Sequence, residues 1–244
     1  TVMTFAIADA IMKTVPKRGK VPRIVTFMDA VIDSMYKLGN DYPHAGYSPM
    51  FAMWLSKRDE WLETRDSRPY GSCGNGSAMR VSPVGWAFSD LDTVEIYAGL
   101  SARVTHDHPE GVKGAQATAV AIHLASSGSS KEDIREYITK KYGYDLTRTL
   151  DEIRPSYKFD ATCQGSVPEA ITAFLEGTSY EDTVRKAVSL GGDSDTIACI
   201  AGGIAEAFYG GVPDDIAREA LVRLDDNLRD ILEHWYMWTL GGSD

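Results

Sequence analysis

Nowhere in this chain do four or more residues alternate apolar and polar convincingly at period two, whereas apolar residues recur three and four apart along most of its length. The clearest case runs Ile197, Ile200, Ala201, Ile204, Ala205 and Phe208, a spacing that puts every apolar side chain on one face of a helix. A half-buried strand needs the other period, because successive strand side chains point to opposite faces. The chain is therefore predicted to be all-α, one globule of about a dozen helices packed in layers.

Helix breakers divide the pattern. Pro16, Gly19 and Pro22 end a first helix, and residues 24–38 form a second, with Gly39 and Asn40 as its stop. Residues 41–49 hold two prolines and Gly46 and form a structured loop before a short helix over 50–62. Helical spacing resumes over 77–88 and 91–104, with Asp90 placed to cap the latter. Residues 110–126 are rich in Gly and Ala, which lets helices approach closely. Residues 131–142 carry Glu132 and Asp133 early and Lys140 and Lys141 late, matching the helix dipole. Residues 146–163 are irregular, and helices follow over 167–176, 180–190, 214–224 and 225–239, besides the one from Ile197. No linker, repeat or low-complexity tract divides the 244 residues, so 1–244 is expected to be a single domain.

Charge removes several functions. Lys and Arg number 25 against 35 Asp and Glu, a net charge of −10, which argues against nucleic acid or an anionic membrane as the main partner. No apolar run reaches membrane-spanning length. Cys73, Cys163 and Cys199 are odd in number and far apart, which disfavours a disulfide framework or a zinc site and points to a reducing, cytoplasmic compartment.

The most unusual chemistry lies in Gly191-Gly192-Asp193-Ser194-Asp195-Thr196, a turn that opens the helix from Ile197. Two carboxylates two residues apart, followed by a hydroxyl, can converge on a hard divalent cation. Asp, Ser and Thr are also the favoured N-cap residues, and one of them would cap this helix with no metal involved. A cap needs one such residue and the turn holds four, but spacing alone does not choose between the two readings. Residues 65–76, punctuated by Pro69, Gly71, Gly74 and Gly76, form the other functional loop by composition.

Four segments carry more when taken together. They are Pro69-Tyr70-Gly71-Ser72-Cys73-Gly74-Asn75-Gly76-Ser77-Ala78-Met79-Arg80, Thr105-His106-Asp107-His108-Pro109-Glu110-Gly111, Gln164-Gly165-Ser166-Val167-Pro168-Glu169-Ala170, and Gly191 to Thr196. In this order they resemble the ADP-ribosylglycohydrolase family, all-helical dimetal enzymes that remove or degrade ADP-ribose adducts. The resemblance implies that Asp193, Asp195 and Thr196 supply three ligands to a pair of Mg2+ ions, with Asp193 and Asp195 also serving the chemistry. It implies that Gly71, Ser72, Cys73 and Asn75 cradle the diphosphate and the ribose being cleaved, and that His106 lines the ligand pocket. Cys73 stands where relatives often have an aromatic residue, which removes ring stacking at that position. His108 is expected to be structural and Ser166 to cap a helix.

One departure is larger. Relatives carry Thr-Asp-Asp-Thr ahead of Val-Met-Thr, and in some a still earlier segment holds a catalytic glutamate; this sequence starts at the final Thr, Thr1. Only one half of the metal site is visible, and the chain is expected to lack the family's N-terminal portion. Two readings follow. One is a magnesium-dependent hydrolase acting at the anomeric carbon of ADP-ribose on a modified protein or small molecule. The other is an ADP-ribose-binding or structural protein without turnover.

Overall fold

The Gly- and Ala-rich stretch becomes the middle of the molecule. In the computed structural model, which describes residues 1–241, there are fifteen helices and no strand among the described residues. The chain opens with α1 (Val2–Thr14) and α2 (Ile24–Asp41), which pack on each other, followed by α3 (Pro49–Leu55) and α4 (Arg58–Thr64). Two short helices, α5 (Gly76–Met79) and α6 (Ser82–Ala87), lead into α7 (Leu91–Arg103), α8 (Pro109–Ser126) and α9 (Lys131–Tyr142). Then come α10 (Leu150–Ile153), α11 (Cys163–Glu176), α12 (Tyr180–Ser189), α13 (Ser194–Tyr209), α14 (Asp214–Leu221) and α15 (Asp226–Thr239).

Helix α8 is apolar or small almost all round and is buried on nearly every side, as such a helix must be. It touches α5, α6, α7, α9, α11 and α13. Six neighbours fit because the contact residues are small. A Cβ on Gly114 would stand 2.4 Å from the Cys163 sulfur of α11, and one on Gly85 of α6 would stand 2.7 Å from the Ile122 Cγ2 and 2.9 Å from the Ala119 carbonyl oxygen of α8.

The outer helices are held by their caps. Asp90 accepts from the Thr93 amide at 2.8 Å, as its position predicts, and Ser130 with Asp133 forms a reciprocal capping box on α9. At the far end Trp238 donates to the Val15 carbonyl at 2.9 Å, and Tyr42 donates to Asp225 at 2.9 Å, which ties α15 back to the opening helix pair. No helix among the described residues is long and apolar enough to cross a membrane.

The boundaries differ from the sequence pattern in several places. Helix α2 runs through Gly39 and Asn40 to Asp41: Gly39 is a contact point, where a Cβ would stand 2.4 Å from a Leu55 methyl, and the Asn40 amide donates to the Tyr36 carbonyl at 2.8 Å. The helix expected over 50–62 is two, α3 and α4, parted at Ser56 and Lys57. The helix expected over 77–88 is likewise two, broken at Arg80 and Val81, and the irregular 146–163 contains the single turn α10.

Gly85→Ala should lower the unfolding free energy by about 1–3 kcal/mol, since the added methyl meets a β-branched side chain and a backbone oxygen that cannot both yield. Urea denaturation at one temperature reads this directly; an unchanged midpoint and slope would mean that α6 and α8 do not meet as closely as described.

Candidate functional site

The turn before α13 is shaped by Gly191 and Gly192, which take φ of 73° and 63° in the left-handed region that favours glycine. They deliver Asp193 to the N-cap position, yet its carboxylate caps nothing. Its Oδ2 instead accepts from Asn75 Nδ2 at 2.7 Å, while Asp195 Oδ1 accepts from the Thr196 amide at 2.9 Å. Burial pushes the Asp193 carboxyl above its ordinary range; the Asn75 hydrogen bond works against this, and the facing Asp195 adds to it.

These residues line a cavity of about 840 Å³, within the range of roughly 300–1,000 Å³ usual for small-molecule sites. The start of α1, from Thr1 to Thr4, closes one side, and residues 45–51, with Tyr47, Met50 and Phe51, form the facing wall. The glycine-rich loop supplies the rest. Its backbone is clamped to the chain ahead of α11: the Asn75 amide donates to the Ala161 carbonyl at 2.8 Å, the Cys163 amide to the Cys73 carbonyl at 2.9 Å, and Gly74 pairs with Thr162 as an isolated antiparallel bridge. From below it rests on α8, where a Cβ on Gly111 would come 2.5 Å from the Ser72 carbonyl oxygen.

Of the residues singled out in the sequence, Ser72, Asn75, His106, Asp193, Asp195 and Thr196 share this cavity. Gly71 and Cys73 stand outside its lining. The Gly71 amide is also taken, donating to Asp107 at 2.8 Å. Asn75 is buried and joins the two halves of the site, donating to Ser166 at 3.1 Å as well as to Asp193. Ser166 is not a cap. Helix α11 starts three residues before it, capped by Thr162, whose hydroxyl accepts from the Gly165 amide at 3.2 Å; the buried Ser166 hydroxyl donates to the Thr162 carbonyl at 2.6 Å. His108 is structural as expected, and its Nδ1 accepts from the Glu110 amide at the start of α8.

The sequence reading passed over Arg80 and Tyr70. Arg80 lines the cavity at 2% exposure and donates from Nη2 to the Ser101 carbonyl and the Thr105 hydroxyl, each at 2.9 Å. Its Nε is buried without a partner, and burial lowers its pKa to about 10. His106, 6% exposed, meets the Thr105 hydroxyl through Nδ1 at 2.7 Å and tilts against the Tyr70 ring at 5.8 Å. Burial, then the neighbouring Arg80 charge, lower its pKa to about 3, so the ring is neutral at physiological pH. The lining of the cavity thus holds both paired carboxylates and a buried guanidinium. The one signal for the latter in the sequence was an Arg between Met79 and Val81, with no acidic residue near it.

A family model described as ADP-ribosylglycohydrolase matches residues 1–240. The ADP-ribosylhydrolase ARH3 of Homo sapiens is 34% identical over 185 residues, covering 57% of this chain and 51% of its own length. The ADP-ribosylarginine hydrolase Tri1 of Pseudomonas putida (strain GB-1) is 28% identical over 175 residues, covering 66% of this chain and 45% of its own. The chain thus spans about half the length of the curated relatives it matches. A solved structure described as an ADP-ribosylglycohydrolase-related protein complex superposes with a TM-score of 0.60 at 22% identity, covering 100% of this chain and 96% of the other, a likeness of fold.

Two measurements probe the site without a ligand. Asn75→Ala should reduce stability by about 1–3 kcal/mol, because it removes a donor from a half-buried carboxylate and from the Ser166 hydroxyl together; a melt identical to the parent's would show that Asn75 is not the tie. His106 binds its proton at pH 6.5 when unfolded but only at about 3 when folded, so the unfolded state holds more protons between these values. Stability should therefore fall as pH drops from 6.5 toward 3, by up to about 1.4 kcal/mol per unit from this group. His106→Gln should flatten the curve by that slope, and parallel curves for the two proteins would mean that His106 is not held neutral.

Proposed function

The chain belongs to the ADP-ribosylglycohydrolase family, and from that premise we propose that its cavity binds ADP-ribose and that the site hydrolyses the glycosidic bond at the anomeric carbon. The observation that carries this reading is that one cavity of suitable size is lined by Asp193 and Asp195, by Arg80 and His106, and by the glycine-rich loop. A dinucleotide-like ligand with a central diphosphate and a reactive ribose presents the complementary pattern. Anionic oxygens are attracted to the guanidinium, and the loop glycines let phosphate approach the backbone.

The donor set of the acidic turn suits a hard cation. Asp193 and Asp195 offer carboxylate oxygens and Thr196 a hydroxyl, all lining the same space, and the two acids repel each other in a way that a cation relieves. Among the described residues no group of three or more His, Cys, Asp or Glu side chains gathers there. These three residues would accordingly hold one face of a Mg2+ ion, which commonly keeps several waters. Bound there, the cation would lower the pKa of a coordinated water. A carboxylate of the pair would accept the proton of the attacking water, while Ser72, Asn75 and the glycine loop would orient the ribose and diphosphate.

The scarcity of acids favours a second reading, ADP-ribose binding without turnover. Calorimetry and a release assay separate the two. Parent protein should bind ADP-ribose, and Asp195→Ala should weaken Mg2+ binding at least about tenfold, the smaller loss typical of an outer-shell partner. Unchanged Mg2+ affinity in a folded Asp195→Ala variant would remove the cation. Release of free ADP-ribose from modified substrates by the parent, abolished in Asp193→Ala, supports hydrolysis; tight binding with no release supports the second reading.

A further inference from the structure

We propose that Arg80 and Thr105 are positioning residues that fix His106 as the neutral tautomer protonated on Nε2, so that the cavity receives one N–H donor from this ring and no lone pair. Only the identity of the ligand rests on the proposed function; the tautomer does not.

The argument is a count of protons. A guanidinium donates and never accepts, so the 2.9 Å contact from Arg80 Nη2 to Thr105 Oγ1 makes the hydroxyl an acceptor there. The hydroxyl has a single proton of its own, and the buried group within reach is His106 Nδ1 at 2.7 Å. If that proton points at Nδ1, Nδ1 is a lone pair and the ring proton sits on Nε2. Doubly protonated imidazolium would need both nitrogens to donate, and it is disfavoured first by burial and then by the Arg80 charge, which depress the pKa of the ring. The remaining neighbour is the Tyr70 phenol, which lies beside the same hydroxyl and stays protonated because burial raises its pKa. As a donor to the lone pair of Thr105 Oγ1 that Arg80 leaves free, it would keep the hydroxyl proton for Nδ1.

The other side of the ring is open. Nε2 has no hydrogen-bond partner among the described residues, and its nearest walls are two glycines: a Cβ on Gly76 would stand 3.1 Å from it and one on Gly74 3.6 Å. His106, Gly74 and Gly76 all line the cavity. Side chains at those two positions would crowd the donor, and glycine leaves it facing the space. The proton on Nε2 decides the sign of what the ring offers: an N–H attracts a phosphate or ribose oxygen, and a lone pair repels it.

This role also accounts for a costly feature. Arg80 is buried with no carboxylate partner and with Nε unpaired, an arrangement that weakens a fold unless something else requires it. A neutral donor in its place could not combine both effects, orienting the Thr105 hydroxyl through a group that cannot accept while holding the imidazole unprotonated. The Ser101 carbonyl, bound by the same Nη2, fixes the fork in place.

The tautomer is read by long-range nitrogen–proton correlation spectra of the five histidines, with His106 assigned by its loss in His106→Gln. In the parent between pH 5 and 8, His106 should give the pattern of an imidazole protonated on Nε2 alone. Thr105→Val keeps the shape and removes the hydroxyl; it should shift His106 to a mixture of tautomers and weaken ADP-ribose binding about tenfold, the equivalent of one hydrogen bond to a charged group. Thr105→Ser should restore both, and Tyr70→Phe should leave the tautomer unchanged. Arg80→Met is expected to act as Thr105→Val does; if it fails to fold, the Thr105 pair decides. A parent protonated on Nδ1, or an Nε2 signal unmoved in Thr105→Val, overturns the proposal. A parent that shows the expected tautomer but does not bind ADP-ribose overturns the proposed function and leaves the positioning by Arg80 and Thr105 standing.

Discussion

The close approach of backbone to the first turns of α8 is the constraint on which the site depends. Gly111 admits the Ser72 carbonyl and Gly114 admits Cys163, each to a distance that a single added methyl would forbid. The Ser77 hydroxyl, at the start of α5, also donates to the Gly111 carbonyl at 2.7 Å. The glycine-rich loop, α5 and the start of α11 thus all sit on the same few residues. This explains why a loop that carries several glycines, and should be free to move, is fixed: its backbone is hydrogen-bonded to residues 161–163 on one side and wedged against α8 on the other. Its freedom is spent on fit.

The second link is Asn75. It couples the loop to the acidic turn across 118 residues of chain, and it does so from a buried position where a lost hydrogen bond is not replaced by water. Displacement of the loop moves the hydrogen bond that partly offsets the raised pKa of Asp193, so loop position and carboxylate charge are one variable. The chain's net charge of −10 says nothing of this. Against that acidic average, the cavity lining includes the buried Arg80 guanidinium as well as the Asp193–Asp195 pair.

Much of the helix pattern could be read from the sequence because it rests on local periodicity and on caps such as Asp90 and Ser130, whose partners lie three residues away. What could not be read has a common cause. A glycine allows a turn or allows a contact, and the letter is the same: Gly39 looked like a stop and is a packing point against Leu55. Gly71 looked like a phosphate cradle, but its amide is bound to Asp107, 36 residues on. The start of α11 was misplaced because Ser166 and Thr162 are both good caps, and only the bridge from Gly74 to Thr162 shows which one ends the extended segment. Ser72, Asn75, His106, Asp193, Asp195 and Thr196 share the cavity lining, a proximity that motif order implies and local spacing does not; Arg80 draws no role from the sequence because its partners, Ser101 and Thr105, are ordinary letters.

The acidic turn itself shows why a cap and a ligand set are hard to tell apart in a sequence and separable in three dimensions. Both need oxygen-bearing side chains at a helix start, and both benefit from the positive end of the helix dipole. They differ in where the oxygens point. A capping Asp193 would turn back onto the amides of α13, and it does not; its carboxylate faces the cavity and is held there by Asn75, with Asp195 beside it. Burial raises the pKa of the Asp193 carboxyl at the start of this sixteen-residue helix, and the neighbouring Asp195 charge adds to the repulsion. Sequence elements that need only a cap have no reason to accept that repulsion. That repulsion, beside Thr196 in the same cavity lining, is what the proposed cation would relieve.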